Sequence, residues 1–262
     1  AGAWTYTLDN TLAATQGLRE GQTVTQTYNV LVTDDFGATA AETVTITING
    51  TNDGPVVNTV IAQKTGSLIE EGIDATGTAV LGTPIATGQL SATDVDQSSG
   101  LTWTVVGTPS NAYGSFVVNP QGVWTYTLNN NLAQTQRLNA GEQVTQSFTV
   151  EVRDAFDAVA FETVNVTITG TNDVPVIAAL SNRTGSVTEA GNAMDGTVVP
   201  GSSIAVGQLL ATDVDAGSNL VWFVTDAAPN TQYGNFILSA TGGWTYVLNN
   251  DLPATQALVQ GA

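Results

Sequence analysis

Neither cysteine nor histidine occurs among the 262 residues, and methionine occurs once. Without cysteine there is no disulfide and no thiolate metal site. Without histidine the chain lacks the commonest general base and the commonest zinc ligand. Basic residues are scarce too: 5 Lys+Arg stand against 23 Asp+Glu, a net charge of −18. That balance repels phosphate backbones and anionic lipid surfaces, so nucleic acid and membranes are poor partners, and it suits hard cations. No window approaches the ~18 uninterrupted apolar residues of a membrane helix, so no membrane insertion is expected. The opening AGAWTYTLDN reads as strand and turn rather than as a charged and apolar leader, the pattern expected of a segment cut from something longer.

What the chain has in abundance is repetition. WTYTLDNTLAATQGL begins at residue 4, WTYTLNNNLAQTQRL at 124 and WTYVLNNDLPATQAL at 244, a spacing of 120 residues. GQTVTQTYNVLVTDDFG from residue 21 matches GEQVTQSFTVEVRDAFD from 141, and GQLSATDVDQSSGLTW from 88 matches GQLLATDVDAGSNLVW from 207. A fixed period marks a modular array. The hydrophobic fraction of 42%, with regularly placed aromatic and β-branched residues, argues for packed cores over a disordered solvating chain.

Each unit reads as β. Val144, Gln146, Phe148, Val150 and Val152 alternate with Thr, Ser and Glu, and Val164, Val166 and Ile168 alternate in ETVNVTITG. Trp124, Tyr126 and Leu128 share one face and are assigned to the core, since a period of two places them together inside. Many short strands punctuated by Gly, Asn, Asp and Pro point to an all-β chain of tandem Ig-like antiparallel β-sandwich modules of about 120 residues. If Pro55 and Pro175 open modules, residues 1–53 are the C-terminal part of one repeat, 54–173 a complete module and 174–262 the N-terminal part of the next. A boundary elsewhere would build one sandwich from strands of two neighbouring repeats.

The acids recur at strand ends and turns. Asn52 and Asp53, and again Asn172 and Asp173, follow Thr-rich strands; Asp94 and Asp96, and again Asp213 and Asp215, form Asp-Val-Asp; Asp34 and Asp154 end strands; Glu70 and Glu189 stand in GSLIEEG and GSVTEAG. Calcium takes about six to eight oxygen ligands from carboxylates, amides, carbonyls and water. An extended Asp-x-Asp aims both carboxylates to one side, ~6.7 Å apart along the backbone. An Asn-Asp pair beside a proline adds an amide oxygen and a carboxylate on a stiffened peptide. Each signal alone is an ordinary turn feature, but the set recurs in one order in a chain sparse in charge. An EF-hand is excluded by spacing: counted from Asp94, Ser99 stands at the required glycine and Val105 at the required glutamate.

GSLIEEG, GQLSATDVDQ, YGSF, GVWTYTLNN, LNAGEQVTQSFTVEVRDAF and ITGTNDVPVI, in that order, resemble the VCBS repeats of very large bacterial RTX adhesins. That family is similar in layout to cadherins, with an Asn-Asp-proline linker phrase, a Glu in the domain before it and an Asp-x-Asp in the domain after. The resemblance implies cadherin-like sandwiches acting as calcium-stiffened extender modules, secreted by a type I system and retained on the bacterial cell surface, which project a distal adhesive domain for attachment and biofilm formation. Carried over by position, a first joint uses Asp34, Asn52, Asp53, Asp94 and Asp96. A second uses Glu70, Asp154, Asn172, Asp173, Asp213 and Asp215, and Glu189 belongs to a third. The turn after the Asp34 position departs from the family pattern, with DDFG once and DAFD in the next copy, which leaves Asp35 and Asp157 unassigned.

The expected partners are Ca2+ and neighbouring repeats of the same chain, with each molecule monomeric. No catalytic residue is expected, because candidate acids that recur in copies mark no unique cleft for a two-carboxylate glycosidase. A module that itself binds a sugar or surface is the alternative reading; near identity of the copies suits a spacer better than a tip. Sequons at Asn49, Asn165 and Asn182 are what Thr-rich strands produce by chance.

Overall fold

The computed structural model describes residues 2–96, 100–225 and 232–258; Ser98 and Ser99, of the loop after Asp96, lie outside them. The chain divides into two compact units. One comprises Ala1–Glu71, Ala79–Thr135 and Ala140–Thr171, the other Gly72–Thr78, Gln136–Asn139 and Asn172–Ala262.

The first unit opens with a hairpin of β1 (Thr23–Thr33) and β2 (Thr39–Asn49), and then carries a full sandwich. One sheet contains β3 (Thr65–Ile69), β5 (Thr102–Val105), β8 (Gln143–Arg153) and β9 (Val159–Thr169) in the order β3-β9-β8-β5. The other holds β4 (Ile85–Gln89), β6 (Gly114–Val118) and β7 (Val123–Leu128) in the order β6-β7-β4. Alternation drives the packing: Phe148, Val150 and Val152 of β8 and Val164, Val166 and Ile168 of β9 turn inward and are buried. They meet Trp124, Tyr126 and Leu128 of β7, also buried. Across the two sheets Phe116 stacks on Phe148 with ring centroids 4.5 Å apart, and Tyr126 leans on the same ring at 5.5 Å.

The polar ends of the core aromatics are satisfied. Trp124 Nε1 donates to the carbonyl of Gln63 at 2.7 Å, and the Tyr126 hydroxyl donates to Asn111 Oδ1 at 3.0 Å. Gly88 lies flat against the Trp124 indole, where a Cβ would collide with the ring nitrogen at 2.5 Å. One pairing departs from the purely antiparallel expectation: β3 runs parallel to β9, from Thr65 opposite Asn165 to Ile69 opposite Thr169. Long sequence separation permits this, since a parallel neighbour needs a crossover rather than a tight turn.

The second unit repeats half of that plan. Its sheet contains β10 (Ile204–Gln208), β11 (Gly234–Leu238) and β12 (Gly243–Leu248) in the order β10-β12-β11, the counterpart of β4-β7-β6. Trp244 Nε1 donates to the carbonyl of Asn182 at 2.7 Å, as Trp124 does to Gln63. Among the described residues no helix is long and apolar enough to cross a membrane.

Candidate metal centre

The first linker leaves the base of the β1–β2 hairpin as Thr51-Asn52-Asp53-Gly54-Pro55. Asp53 donates its backbone N–H to Asp96 Oδ2 at 2.8 Å, and Asp96 donates its own N–H to Asp94 Oδ1 at 2.9 Å. The amide of Asn52 donates from Nδ2 to Asp154 Oδ2 at 2.8 Å. Asp154 sits in the turn between β8 and β9, and its Oδ1 accepts the amides of Phe156 at 2.9 Å and Ala158 at 2.8 Å. Three elements distant in sequence therefore meet at one place: a linker, an Asp-Val-Asp loop and a hairpin tip.

The second linker repeats the core of this plan. Asp173 donates its N–H to Asp215 Oδ2 at 2.9 Å, and Asp215 donates its N–H to Asp213 Oδ1 at 3.0 Å. Asn172 differs: it is exposed, and its Nδ2 donates to the neighbouring carbonyl of Asp173 at 2.6 Å.

Once these bonds are made, a set of buried oxygens has no hydrogen-bond partner among the described residues. At the first linker they are Asn52 Oδ1, Asp94 Oδ2 and Asp96 Oδ1, and at the second Asp173 Oδ2 and Asp215 Oδ1. All are acceptors. A buried acceptor left unpaired costs about 1–3 kcal/mol, and more if charged, so the same omission at both linkers calls for a positive partner. Burial, reinforced by the charges of Asp96, Asp154 and Asp53, holds Asp94 above the ordinary carboxylate value although the Asp96 amide opposes this. Burial also raises Asp173, with Asp215 and Asp213 adding to it, and raises Asp215 against the pull of the Asp173 amide. Carboxylate and amide oxygens are the donor set of a hard cation such as calcium. As placed, however, no group of three or more Asp, Glu, His or Cys side chains among the described residues is closed around a metal position.

Residues 52–170 match the bacterial cadherin-like domain. The match spans one copy of the repeat, from the first linker to the end of β9. Its solved structural neighbours include protocadherin gamma B7 extracellular cadherin domains 1–4, at 13% identity and TM-score 0.40, covering 90% of this chain and 60% of that one. Mouse cadherin-23 EC22–24 is similar at 16% identity and TM-score 0.41, with 93% and 67% covered. The chain thus spans less than two thirds of the protocadherin fragment's length. No curated protein matches the sequence.

The hairpin aspartates fall elsewhere than the resemblance suggests. Carried over by position, Asp34 belongs with the first linker and Asp154 with the second. In the structure Asp154 meets Asn52 of the first linker. The reason is hairpin length: the strands run 11 residues, so tip and base lie about 35 Å apart. Asp34 occupies the tip of the β1–β2 hairpin while Asn52 departs from its base, and it is brought to none of the other expected ligands among the described residues. It stays exposed, and its Oδ1 accepts only the amides of its own turn, from Phe36 at 2.9 Å and Ala38 at 2.8 Å.

Glu70 is fully buried at the end of β3, where Oε2 accepts the Thr171 N–H at 3.1 Å. It lies in the first compact unit, whereas Asn172, Asp173, Asp213 and Asp215 lie in the second. Glu189 is half-buried. Glu20 was not singled out by the sequence. Its Oε2 accepts the Asn52 N–H at 3.3 Å, and the equivalent position in the next copy is Ala140, so a search for recurring acids passes over it.

Proposed function

We propose that this chain is a run of calcium-stiffened spacer modules from a large secreted bacterial surface adhesin, which hold a distal binding domain away from the cell for attachment and biofilm formation. The observation that carries the reading is the pair of linkers with one hydrogen-bond plan, each leaving buried acceptor oxygens without a donor among the described residues. The secreted, cell-surface setting rests on the resemblance of the motifs to VCBS repeats of RTX adhesins. The cadherin-like match supports an adhesion-related extracellular module.

At the first linker, Asn52, Asp53, Asp94, Asp96 and Asp154 would hold the ion; at the second, Asn172, Asp173, Asp213 and Asp215 would. Glu70 and Glu189 are proposed as further ligands on the strength of the resemblance alone. A bound calcium ion supplies the positive charge that these oxygens share. The protein's part is to position them. Pro55 fixes φ in the first linker, the Asp53 amide orients Asp96, and Asn52 ties the hairpin tip to the linker. Extracellular calcium modules bind at about 10⁻⁴–10⁻³ M. At a free calcium concentration a hundredfold above such a constant, each independent site adds about 2.7 kcal/mol to the folded state.

Small-angle scattering tests this reading, in calcium and in chelator. Replacing chelator by calcium is expected to lengthen the molecule and raise its melting temperature; no change in either quantity would refute the proposal.

A further inference from the structure

The complete module also carries a polar groove that contains none of the candidate calcium ligands. It has a volume of about 570 Å³ and lies where β6 begins and β7 ends. Ser110, Ser115, Thr127, Asn129, Asn130 and Asn131 line it, and half-buried Leu132 gives it an apolar patch. All of these residues belong to the first compact unit. In a chain of net charge −18, this lining holds no charged side chain.

Local hydrogen bonds fix the walls. Asn111 Oδ1 accepts the amides of Tyr113 at 2.9 Å and Gly114 at 3.0 Å, and the Tyr126 hydroxyl at 3.0 Å, which holds the loop before β6 against the core. Asn129 donates its N–H to the Tyr113 carbonyl at 2.9 Å, and its Oδ1 accepts the Asn131 N–H at 3.0 Å, which sets the loop after β7. The rest of the lining keeps its hydrogen-bonding capacity. The hydroxyls of Ser110, Ser115 and Thr127 and the side-chain amide of Asn131 bond to no described residue. Asn130 goes further: its Nδ2 donates to Glu71 Oε2 at 3.3 Å, which fixes the way its amide faces, and its Oδ1 is buried with no donor among the described residues. The outer face of the other sheet is also rich in Thr, Ser and Asn, but it satisfies itself. There Ser147 Oγ donates to Asn165 Oδ1 at 2.7 Å, and Thr145 and Thr167 share a hydrogen bond of 3.3 Å.

We infer that this groove binds a short stretch of a neutral glycan. Sugar hydroxyls donate and accept at once, and the amide and hydroxyl groups of the lining do the same. The chain's net charge repels an acidic glycan, and the lining offers no carboxylate to a hard cation. The volume is ordinary for a small-molecule site. The sequence repeats Asn129-Asn130 as Asn249-Asn250 and places Asn235 where Ser115 stands, so tandem modules would present the groove repeatedly and gain by avidity. The groove uses none of the linker acids, so it stands apart from the calcium reading.

Magnetic resonance of the isotope-labelled full chain tests the inference, with maltoheptaose, cellohexaose and mannohexaose as neutral probes and oligogalacturonate as the acidic control. At least one neutral probe is expected to shift the signals of Ser115, Thr127 and Asn129–Asn131 saturably, and oligogalacturonate to leave them in place. Asn130→Ala removes the unpaired acceptor and is expected to weaken binding about tenfold. Ser115 is exposed, so Ser115→Trp fills the groove without entering the core and is expected to abolish binding at an unchanged melting temperature. Thr145→Ala, on the other sheet, should bind as the unsubstituted chain does. No saturable shift with any of the three neutral probes, shifts confined to residues outside the groove, equal binding of oligogalacturonate, or binding that survives Ser115→Trp would each overturn the inference.

Discussion

Asn52 donates a 2.8 Å hydrogen bond to Asp154, 102 residues further along the chain, and so ties the linker to the tip of the β8–β9 hairpin. Burial alone would push Asp154 upward. The bonds from Asn52 and from the amides of Phe156 and Ala158, with the charge of Arg153, outweigh it and leave the carboxyl below its ordinary value. Asp154 is thus held as an anion beside Asp94, whose own carboxyl it helps to raise. Breaking this tie is the first test. Asn52→Ala and Asp154→Ala are expected to destabilise by about 1.5–3 kcal/mol each, the range for hydrogen bonds to charged groups. The double variant should lose less than their sum, with a coupling of about 0.5–3 kcal/mol in denaturant titrations. Simple additivity would mean the contact contributes nothing.

Removing one acid of each Asp-Val-Asp loop separates the two linkers. Asp96→Ala deletes the acceptor of the Asp53 amide, and Asp215→Ala deletes that of the Asp173 amide. Each is expected to abolish calcium binding at its own linker and to leave the other unchanged, as read by calorimetric stoichiometry. Trp124 is fully buried with its indole bonded to Gln63, so its fluorescence should be native in Asp215→Ala.

Acid dependence follows from the raised carboxyls. Asp94, Asp173 and Asp215 lie above 3.8 in the folded chain without calcium. The folded state then holds more protons than the unfolded one, so ion-free stability falls as pH climbs from 3.8 through their folded values. Asp9, Asp74, Asp154 and Asp195 are lowered, and the stability they contribute is lost only below 3.8. In chelator the melting temperature is therefore expected to fall as pH is raised above 3.8, and in calcium that fall should shrink or reverse, because protons compete with the ion. A melting temperature in chelator that rises steadily over that climb would contradict the assignment.

A glycine substitution reports on the two cores separately. A Cβ at Gly88 would strike the Trp124 indole and the Gln63 carbonyl, and one at Gly207 would strike Trp244. Gly88→Ala is expected to cost about 1–3 kcal/mol through overpacking. Gly207→Ala should lower only the unfolding step of the second unit, which calorimetry resolves if the units melt apart.

Much of the fold was legible because it rests on local periodicity. Alternation marked the inward faces of β8 and β9, and the spacing of Trp124, Tyr126 and Leu128 placed them in the core. The parallel β3–β9 pairing was not legible, since nothing local in GSLIEEG distinguishes its edge partner. For the candidate site, the repeated phrases supplied the residue types but not their grouping. Sequence order put Asp154 with the linker that follows it, whereas an 11-residue hairpin carries its tip back to the linker before. Glu20 escaped because it occurs in one copy only. The buried oxygens without donors could be seen only once the surrounding hydrogen bonds were known.

Calcium titrated calorimetrically into the chelator-stripped chain tests the central claim most directly. The account expects saturable binding with constants of about 10⁻⁴–10⁻³ M or tighter. The first linker should bind the more strongly, because Asp154 and Asn52 join its Asp-Val-Asp loop while Asn172 stays exposed. No saturable heat at millimolar calcium, with a melting temperature equal in calcium and chelator, would contradict it.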